Sequence, residues 1–406
     1  MTTTPVSPAA EKTDWVAEGF RYLMNTGRRA PLTMVRGEGT YIWDDNGKRY
    51  LDFLSGLAVL ALGHGSPVII GALEKQAREL TLVADTVWTI PQIKLAKLLC
   101  ELSGMERVFF CNGGAEANEA ALKLARKYGK LHKNGAFEVI ATVNGFHGRT
   151  MGAISATGTT RYREPFEPLV PGFRHVPFGD MQAIRDVTSD QTCAVIVEPI
   201  QGEAGVCIPP VGYLLSLRRW CDEQNVALIL DEVQTGIGRT GKMFAFEHED
   251  IRPDILTLAK ALGGGVPVAA TLVNKKLDVF EPGDHGNTFG GNNLMTSVAL
   301  AVLEHIIENN LVEASADKGR YMLGKLHSLE DRYDFVREAR GRGLMCAIEL
   351  DNGKAAEVAQ ACCDGGLILG QVRDHTLRLL PPLNVTTEEI DEAVAILDRA
   401  LATIER

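Results

Sequence analysis

Six short apolar runs, separated by stretches with helical spacing, constrain most strongly what this chain can fold into. They are VFF at 108–110, EVIATV at 138–143, CAVIVEP at 193–199, VALILDEV at 226–233, DILTLAK at 254–260 and VAATLV at 268–273. Apolar residues occupy consecutive rather than alternate positions, so a strand made from such a run must be covered on both faces. Between the runs lie EANEAALKLARKYGK and YLLSLRRWCDEQN, with the look of helices. Strand and helix in alternation predict an α/β fold whose mainly parallel sheet is covered by helices.

After Asn292 the texture changes to long helical segments, then the short strands LMCAIEL and TLRLLPP, then a last helix whose opening TTEEI fits a capping box. This reads as a smaller α+β domain. A chain of 406 residues exceeds the size at which one core usually stops growing, which also argues for two domains. GTYIWDDNGKRYLDF reads as a hairpin around Asn46 and Gly47. The expected division is an N-terminal segment, 1–61, packing with the small domain, a large domain, 62–310, and a C-terminal small domain, 311–406. The Thr/Pro/Ala-rich first ten residues are expected to form a disordered tail.

The net charge of −10 argues against a nucleic-acid footprint. No apolar run approaches the roughly 20 residues that cross a bilayer, and MTTTPVSPAAEKTD has neither the basic nor the apolar part of a signal peptide. A cytoplasmic protein without a membrane partner is expected. The eight cysteines show no CxxC and no Cys/His pairing, so no disulfide framework and no metal site is expected. Adjacent Cys362 and Cys363 read as small core residues.

In open parallel sheets, ligands bind at the carboxyl ends of strands. Asp231 follows one apolar run, and Lys260 follows another, just before a triple glycine. An ammonium is almost never fully buried unpaired, so Lys260 is either solvated at a strand end or chemically used. VFFCNGGAEANEAA passes from strand through Gly113 and Gly114 into a helix, whose free N–H groups would suit a phosphate. It matches neither GxGxxG nor a P-loop, which disfavours a dinucleotide or a nucleoside triphosphate. Pyridoxal phosphate would need a lysine, an acid for its ring nitrogen, a phosphate cradle and a flat side chain on the ring. NGFHGRT offers Phe146 as that face and Arg149 as a carboxylate clamp. Taken alone, each has an ordinary alternative, a core aromatic and a surface ion pair.

The motifs RGEGTYIWDDNGKRYLDF, FFCNGGAEANEAALKLARKYG, NGFHGRT, EPIQGEAGV, LILDEVQTGIGRTG, LAKALGGG, NTFGGN and RGLMCAIEL occur in this order over nearly the whole chain. Together they resemble the class III aminotransferases of the fold-type I pyridoxal-phosphate enzymes, most closely the acetylornithine aminotransferase branch. The resemblance implies that Lys260 carries the cofactor covalently and then shuttles a proton, while Asp231 keeps the ring nitrogen protonated. It places Gln234 at the ring hydroxyl, Val233 and Phe146 on the two ring faces, and the N–H groups of Gly114 and Ala115 at the phosphate. Thr288 of a partner subunit would complete the phosphate site, making the functional unit at least a homodimer.

On the substrate side, the resemblance makes Arg378 the binder of the α-carboxylate of 2-oxoglutarate and Glu203 the group that neutralises it otherwise. Arg149 takes the distal carboxylate, and Asn287 of NTFGGN joins the substrate residues. The implied reaction moves the terminal amino group of N-acetylornithine to 2-oxoglutarate, within arginine metabolism. Ornithine, succinylornithine, 4-aminobutyrate and an acylated lysine-type amine are the alternative donors. Four positions depart from the branch: Gly27 in place of tyrosine, Ser66 in place of histidine, Gly113 in place of serine, and Asn293 in place of proline. Gly27 leaves the donor open. A ligand-sensing module of a transcription regulator would need a fused DNA-binding domain, and the residues before the motifs show no helix-turn-helix pattern or basic charge.

Overall fold

The computed structural model describes residues 13–351 and 353–404, so the expected disordered tail lies outside the described residues. Met34–Glu38 (β1), Tyr41–Asp44 (β2) and Arg49–Asp52 (β3) form an antiparallel ladder. The turn between β2 and β3 is the hairpin expected at Asn46 and Gly47. Asp44 Oδ1 accepts from the N–H groups of Asn46 and Lys48, each at 2.9 Å, and Gly47 takes φ +81°, where a side chain would be strained.

The main sheet has seven strands. They are Arg107–Cys111 (β4), Glu138–Thr142 (β5), Phe173–Val176 (β6), Thr192–Val197 (β7), Ala227–Asp231 (β8), Ile255–Leu258 (β9) and Ala269–Val273 (β10), in the spatial order β4-β10-β9-β8-β7-β5-β6. β5 to β9 run parallel, and β10 lies antiparallel between β9 and β4. The six apolar runs supply six of these strands. β6 lies at the sheet edge with only Val176 buried, so FRHV lacks the continuous apolar signature of its neighbours. β7 to β10 are buried along their whole length, and each enclosed Leu, Ile or Val contributes about 1.5–3 kcal/mol.

The C-terminal part holds Val336–Arg342 (β11), Met345–Leu350 (β12), Leu367–Ile368 (β13), Gly370–Val372 (β14) and Thr376–Leu379 (β15). β11, β12, β15 and β14 make an antiparallel sheet in that order, while β13 pairs parallel with β3 of the N-terminal ladder. Tyr41 Oη also donates to Glu392 Oε2 at 3.0 Å, on the last helix, Thr387–Ile404. That helix opens on a reciprocal cap: Thr386 N–H to Glu389 Oε2 at 2.8 Å and Glu389 N–H to Thr386 Oγ1 at 3.2 Å.

Among the described residues, no helix is long and apolar enough to cross a membrane, and no cluster of His, Cys, Asp or Glu is arranged to hold a metal ion. All eight cysteines are free, with Cys362 buried and Cys363 half-buried.

Candidate active site

The carboxyl ends of β4, β5, β7, β8 and β9 open onto one cavity of about 440 Å³. Gly114, Ala115, Phe146, Arg149, Glu203, Asp231, Val233, Gln234 and Lys260 all line it. Residues spread over nearly 150 positions of sequence meet here because parallel strands deliver their ends to one edge of the sheet.

β9 stops at Leu258, and Lys260 opens a short 3-10 turn with φ +45°. That left-handed conformation costs a residue with a Cβ about 1–2 kcal/mol. Lys260 Nζ has no hydrogen bond or ion pair among the described residues, and burial pulls its pKa below the ordinary lysine range against the opposing charge of Glu203. The strand end therefore presents an amine biased toward its neutral, nucleophilic form.

Asp231 ends β8 and is 3% exposed, which is costly for a carboxylate unless donors surround it. Oδ2 receives His147 Nδ1 at 2.8 Å and Asn118 Nδ2 at 2.7 Å, and Oδ1 receives Val233 N–H at 3.1 Å. Asn118 is fixed in turn: its Oδ1 accepts from Thr257 Oγ1 at 2.8 Å, and its Nδ2 also donates to the His147 carbonyl at 2.7 Å. Beside this network Glu198 is buried, with Oε1 accepting from Phe146 N–H at 2.9 Å and Oε2 from Gly202 N–H at 3.1 Å. Burial pushes the Glu198 carboxyl up to about 7.

Asn118, His147, Thr257 and Glu198 were not singled out by sequence reasoning. A signal existed for two of them. Asn118 falls on the buried face of its helix with Ala121, Leu122 and Ala125, and Thr257 interrupts an apolar strand, so both are polar groups that must find partners.

The helix Gly114–His132 starts at the cavity with Gly113 as its N-cap and no side-chain cap. The N–H groups of Gly114 and Ala115 find no acceptor among the described residues. A Cβ at Gly114 would meet Val233 Cγ1 at 2.8 Å, so only glycine lets the backbone lie this close. A Cβ at Gly113 would meet nothing within 4 Å, so the space for a larger residue is open there.

Asn287 and Thr288 lie outside this cavity. The Asn287 amide is engaged locally, accepting from Asn112 Nδ2 at 3.0 Å and Gly290 N–H at 2.8 Å and donating to Glu116 Oε2 at 3.2 Å. Thr288 is exposed at the surface of the same loop. Gly27 is also exposed, away from the cavity. Ser66 is the buried N-cap of the helix Pro67–Glu79. Asn293 is the first residue of the helix Asn293–Glu308, where proline would fit without loss of a bond, and its buried Oδ1 has no partner among the described residues.

Arg378 of β15 is 2% exposed and reaches the cavity wall from behind. Its Nη1 donates to Glu203 Oε1 and to the Gly202 carbonyl, each at 2.8 Å. Burial opposes the charge on Glu203, yet Arg378 and, more weakly, Lys260 hold its carboxyl below the usual range. Arg149 makes no ion pair among the described residues. Its guanidinium lies 3.8 Å above the Tyr162 ring and 5.4 Å from the Phe146 ring, and the two rings meet edge to face. The surface ion pair open at the level of sequence is thus replaced by stacking, which leaves the guanidinium edge free for a carboxylate.

A family model, aminotransferase class III, matches residues 22–401. The chain is a class III aminotransferase. Among its relatives, acetylornithine aminotransferase of Caldanaerobacter subterraneus subsp. tengcongensis is 46% identical over 385 residues, 95% of this chain and 98% of that protein. The protein of the same name from Methanopyrus kandleri is 48% identical over 385 residues, 94% and 97% of the two chains. The solved structure of ornithine aminotransferase from Toxoplasma gondii superposes with a TM-score of 0.93 at 35% identity, covering 97% of this chain and 96% of that one.

Class III aminotransferases use pyridoxal 5'-phosphate, and the residues of this cavity fit it. The Lys260 amine, unpaired among the described residues, suits the aldehyde, and the Asp231 carboxylate, fixed by its donors, suits the ring nitrogen. Phe146 and Val233 supply flat apolar walls. The free N–H pair at Gly114 and Ala115, with the helix dipole behind it, suits the phosphate. The Gln234 amide accepts at Oε1 from Arg378 Nη1 at 3.4 Å, and its buried Nε2 has no partner in hydrogen-bonding geometry among the described residues, so that donor suits the ring oxygen.

Proposed function

We propose that this class III aminotransferase takes the terminal amino group of N-acetylornithine, or of a similar acylated ω-amino acid, and delivers it to 2-oxoglutarate, giving a semialdehyde and glutamate. The observation that carries the reading is the Glu203–Arg378 pair at 2.8 Å on the cavity wall. A donor that reacts through its terminal amine brings no carboxylate next to the reacting carbon, whereas 2-oxoglutarate does. An arginine needed by the second must be neutralised for the first, and Glu203 is placed to do this. When bound, pyridoxal phosphate supplies the aldehyde that takes up the amine and a ring that accepts the electron pair from the carbon losing its proton.

The chain's own residues do the rest. Lys260 Nζ, held toward its neutral form, takes the proton from the amine-bearing carbon and returns it two atoms away, to the carbon across the nitrogen. Asp231 keeps a positive charge at the ring nitrogen. Arg149 holds the distal carboxylate in both half-reactions, and Arg378 engages the α-carboxylate once Glu203 has turned aside.

N-acetylornithine is preferred to ornithine in this reading because acylation removes an α-ammonium that would lie near Arg149. Relatives at 46–48% identity over nearly the full chain carry the name acetylornithine aminotransferase, which supports this choice of donor. We further propose a cytoplasmic homodimer, in which exposed Thr288 reaches the partner's phosphate site. Trp88 and Ile90, 87% and 70% exposed, offer apolar surface for such an association. Single-turnover rates with N-acetylornithine, N-succinylornithine, ornithine and 4-aminobutyrate test the donor. N-acetylornithine is expected to lead, and clear superiority of ornithine or 4-aminobutyrate would overturn the assignment.

A further inference from the structure

Arg340 of β11 occupies the same row of the small sheet as Arg378. The register pairs Arg340 with Ala347 of β12, and Ala347 with Arg378 of β15, so all three share one face. Two strand spacings put the arginines roughly 10 Å apart. Both reach the loop that carries Glu203. Its neck is closed by hydrogen bonds of 3.0 Å in each direction between Gln201 and Cys207. Arg378 Nη1 holds one side at the Gly202 carbonyl, 2.8 Å away. Arg340 holds the other, donating to the Gly205 carbonyl from Nε at 3.0 Å and Nη2 at 2.8 Å. The held turn is not a relaxed one: Gly205 takes φ +107° and Val206 φ +56°, left-handed for a β-branched residue. Arg340 is itself fixed by Glu349 Oε2 and Glu338 Oε2, each at 2.6 Å, and its side chain is 12% exposed.

We propose that Arg340 is a positioning residue for the Glu203–Arg378 pair. It clamps the loop backbone, so Glu203 leaves and regains Arg378 by side-chain rotation rather than by movement of the loop. The role rests on the reading of that pair as the device that separates the ω-amine donor from 2-oxoglutarate. Without the clamp the strained turn relaxes, and Glu203 returns to Arg378 less faithfully. The ω-amine donor then meets an unmasked guanidinium. 2-Oxoglutarate, which needs Glu203 turned away, is affected less.

Arg340→Lys and Arg340→Met test this. Lysine keeps the charge beside Glu349 but cannot span the Gly205 carbonyl with two fixed N–H groups. Hydrogen exchange of the apoprotein needs neither cofactor nor substrate. Exchange in the peptide covering 201–208 should accelerate by about tenfold in both variants, while β12 and β15 stay protected. In the holoenzyme, KM for N-acetylornithine should rise about tenfold and KM for 2-oxoglutarate less than about threefold, with kcat for each within about threefold. Methionine should act more strongly than lysine. Unchanged loop exchange, equal damage to both substrates, or loss of protection in β12 and β15 along with the loop would each overturn the proposal. A Glu203→Ala enzyme that failed to separate the two half-reactions would instead overturn the switch reading, whereas the exchange result speaks to Arg340 alone.

Discussion

Arg378 Nη1 donates to Glu203 Oε1 and to the Gly202 carbonyl at the same distance, 2.8 Å. Nη1 also reaches Gln234 Oε1 at 3.4 Å, so the guanidinium has two side-chain partners that can rotate away and one backbone partner that cannot. In the proposed switch Glu203 turns aside, the backbone contact still aims Arg378 at the cavity, and its charge becomes available to an incoming carboxylate.

Removing either member should push the two half-reactions in opposite directions. Glu203→Ala leaves a buried guanidinium without its counter-charge, so glutamate should react better through its α-amine and N-acetylornithine worse. Arg378→Ala should weaken 2-oxoglutarate by about 2–5 kcal/mol, roughly 30-fold to several thousand-fold in kcat/KM, while sparing the ω-amine half-reaction. Single-turnover rates for both substrates check this. Movement of both in the same direction would defeat the switch.

How much of this site was legible in the sequence depended on whether a residue's role is local. Lys260 and Asp231 stood out because a charge directly after a continuous apolar run has few explanations, and six of seven main-sheet strands were visible for the same reason. Asn118 and His147 were not visible as a pair: they meet Asp231 only because the helix after β4 and the loop after β5 pack against the end of β8. β6 was hidden by its edge position. Asn287 illustrates the converse, since its motif marks a structured loop, but the amide serves Asn112, Glu116 and Gly290. Tyr162 carried no sequence signal at all, because stacking on Arg149 depends on a turn thirteen residues further on.

Lys260→Ala should abolish turnover and leave the fold intact. In the proposed reaction it removes the amine that takes up the cofactor and the proton carrier together, while deleting an amine without a hydrogen bond among the described residues rather than a structural contact. The apoprotein's Tm should stay within a few degrees of wild type. Substantial residual turnover would refute the assignment of this lysine.

Asp231→Asn should retain cofactor but lose about 30-fold to several thousand-fold in rate, because a neutral amide no longer favours a protonated ring nitrogen. It also replaces an acceptor that His147 Nδ1 and Asn118 Nδ2 share on one oxygen. Pre-steady-state kinetics at fixed cofactor occupancy separates binding from rate. A loss below threefold would place the electron-accepting role elsewhere.

Glu198 and Glu232 should subtract stability from the apoprotein as pH rises from about 4.5 to 7, while buried His175 and His248, both pulled down to about 4, add stability over much of the same range. Burial pushes both Glu198 and Glu232 up to about 7, so across this window the native state holds protons that the unfolded chain has released. More protons on the native state mean that unfolding becomes easier as pH increases. Glu203, held below the usual range, acts only at lower pH and with the opposite sign. Glu198→Gln should lower Tm overall, because its NH2 cannot accept from Phe146 or Gly202 N–H, yet its gap to wild type should narrow as pH rises from 5 to 7. A gap between variant and wild type that stayed constant or widened through this range would contradict a protonated Glu198 in the native state.

Tyr162 should govern affinity for the distal carboxylate without touching the chemistry. Its ring lies 3.8 Å beneath the Arg149 guanidinium, which is exposed and has no acidic partner among the described residues, so stacking is what holds it at the cavity mouth. Such contacts contribute about 0.5–2 kcal/mol depending on solvation, which corresponds to roughly 2- to 30-fold in affinity. Tyr162→Leu should therefore raise KM for N-acetylornithine and for 2-oxoglutarate by similar factors in that range, with kcat changed less than about twofold. Tyr162→Phe keeps the ring face and should restore both KM values, since the phenol oxygen only accepts a surface contact from Arg161 at 3.0 Å. Arg149→Ala should raise both by more, because it removes the carboxylate's partner itself. If phenylalanine proved as damaging as leucine, the hydroxyl rather than the ring face would be the functional group. If only one substrate responded, Arg149 would not be the common anchor of the two half-reactions.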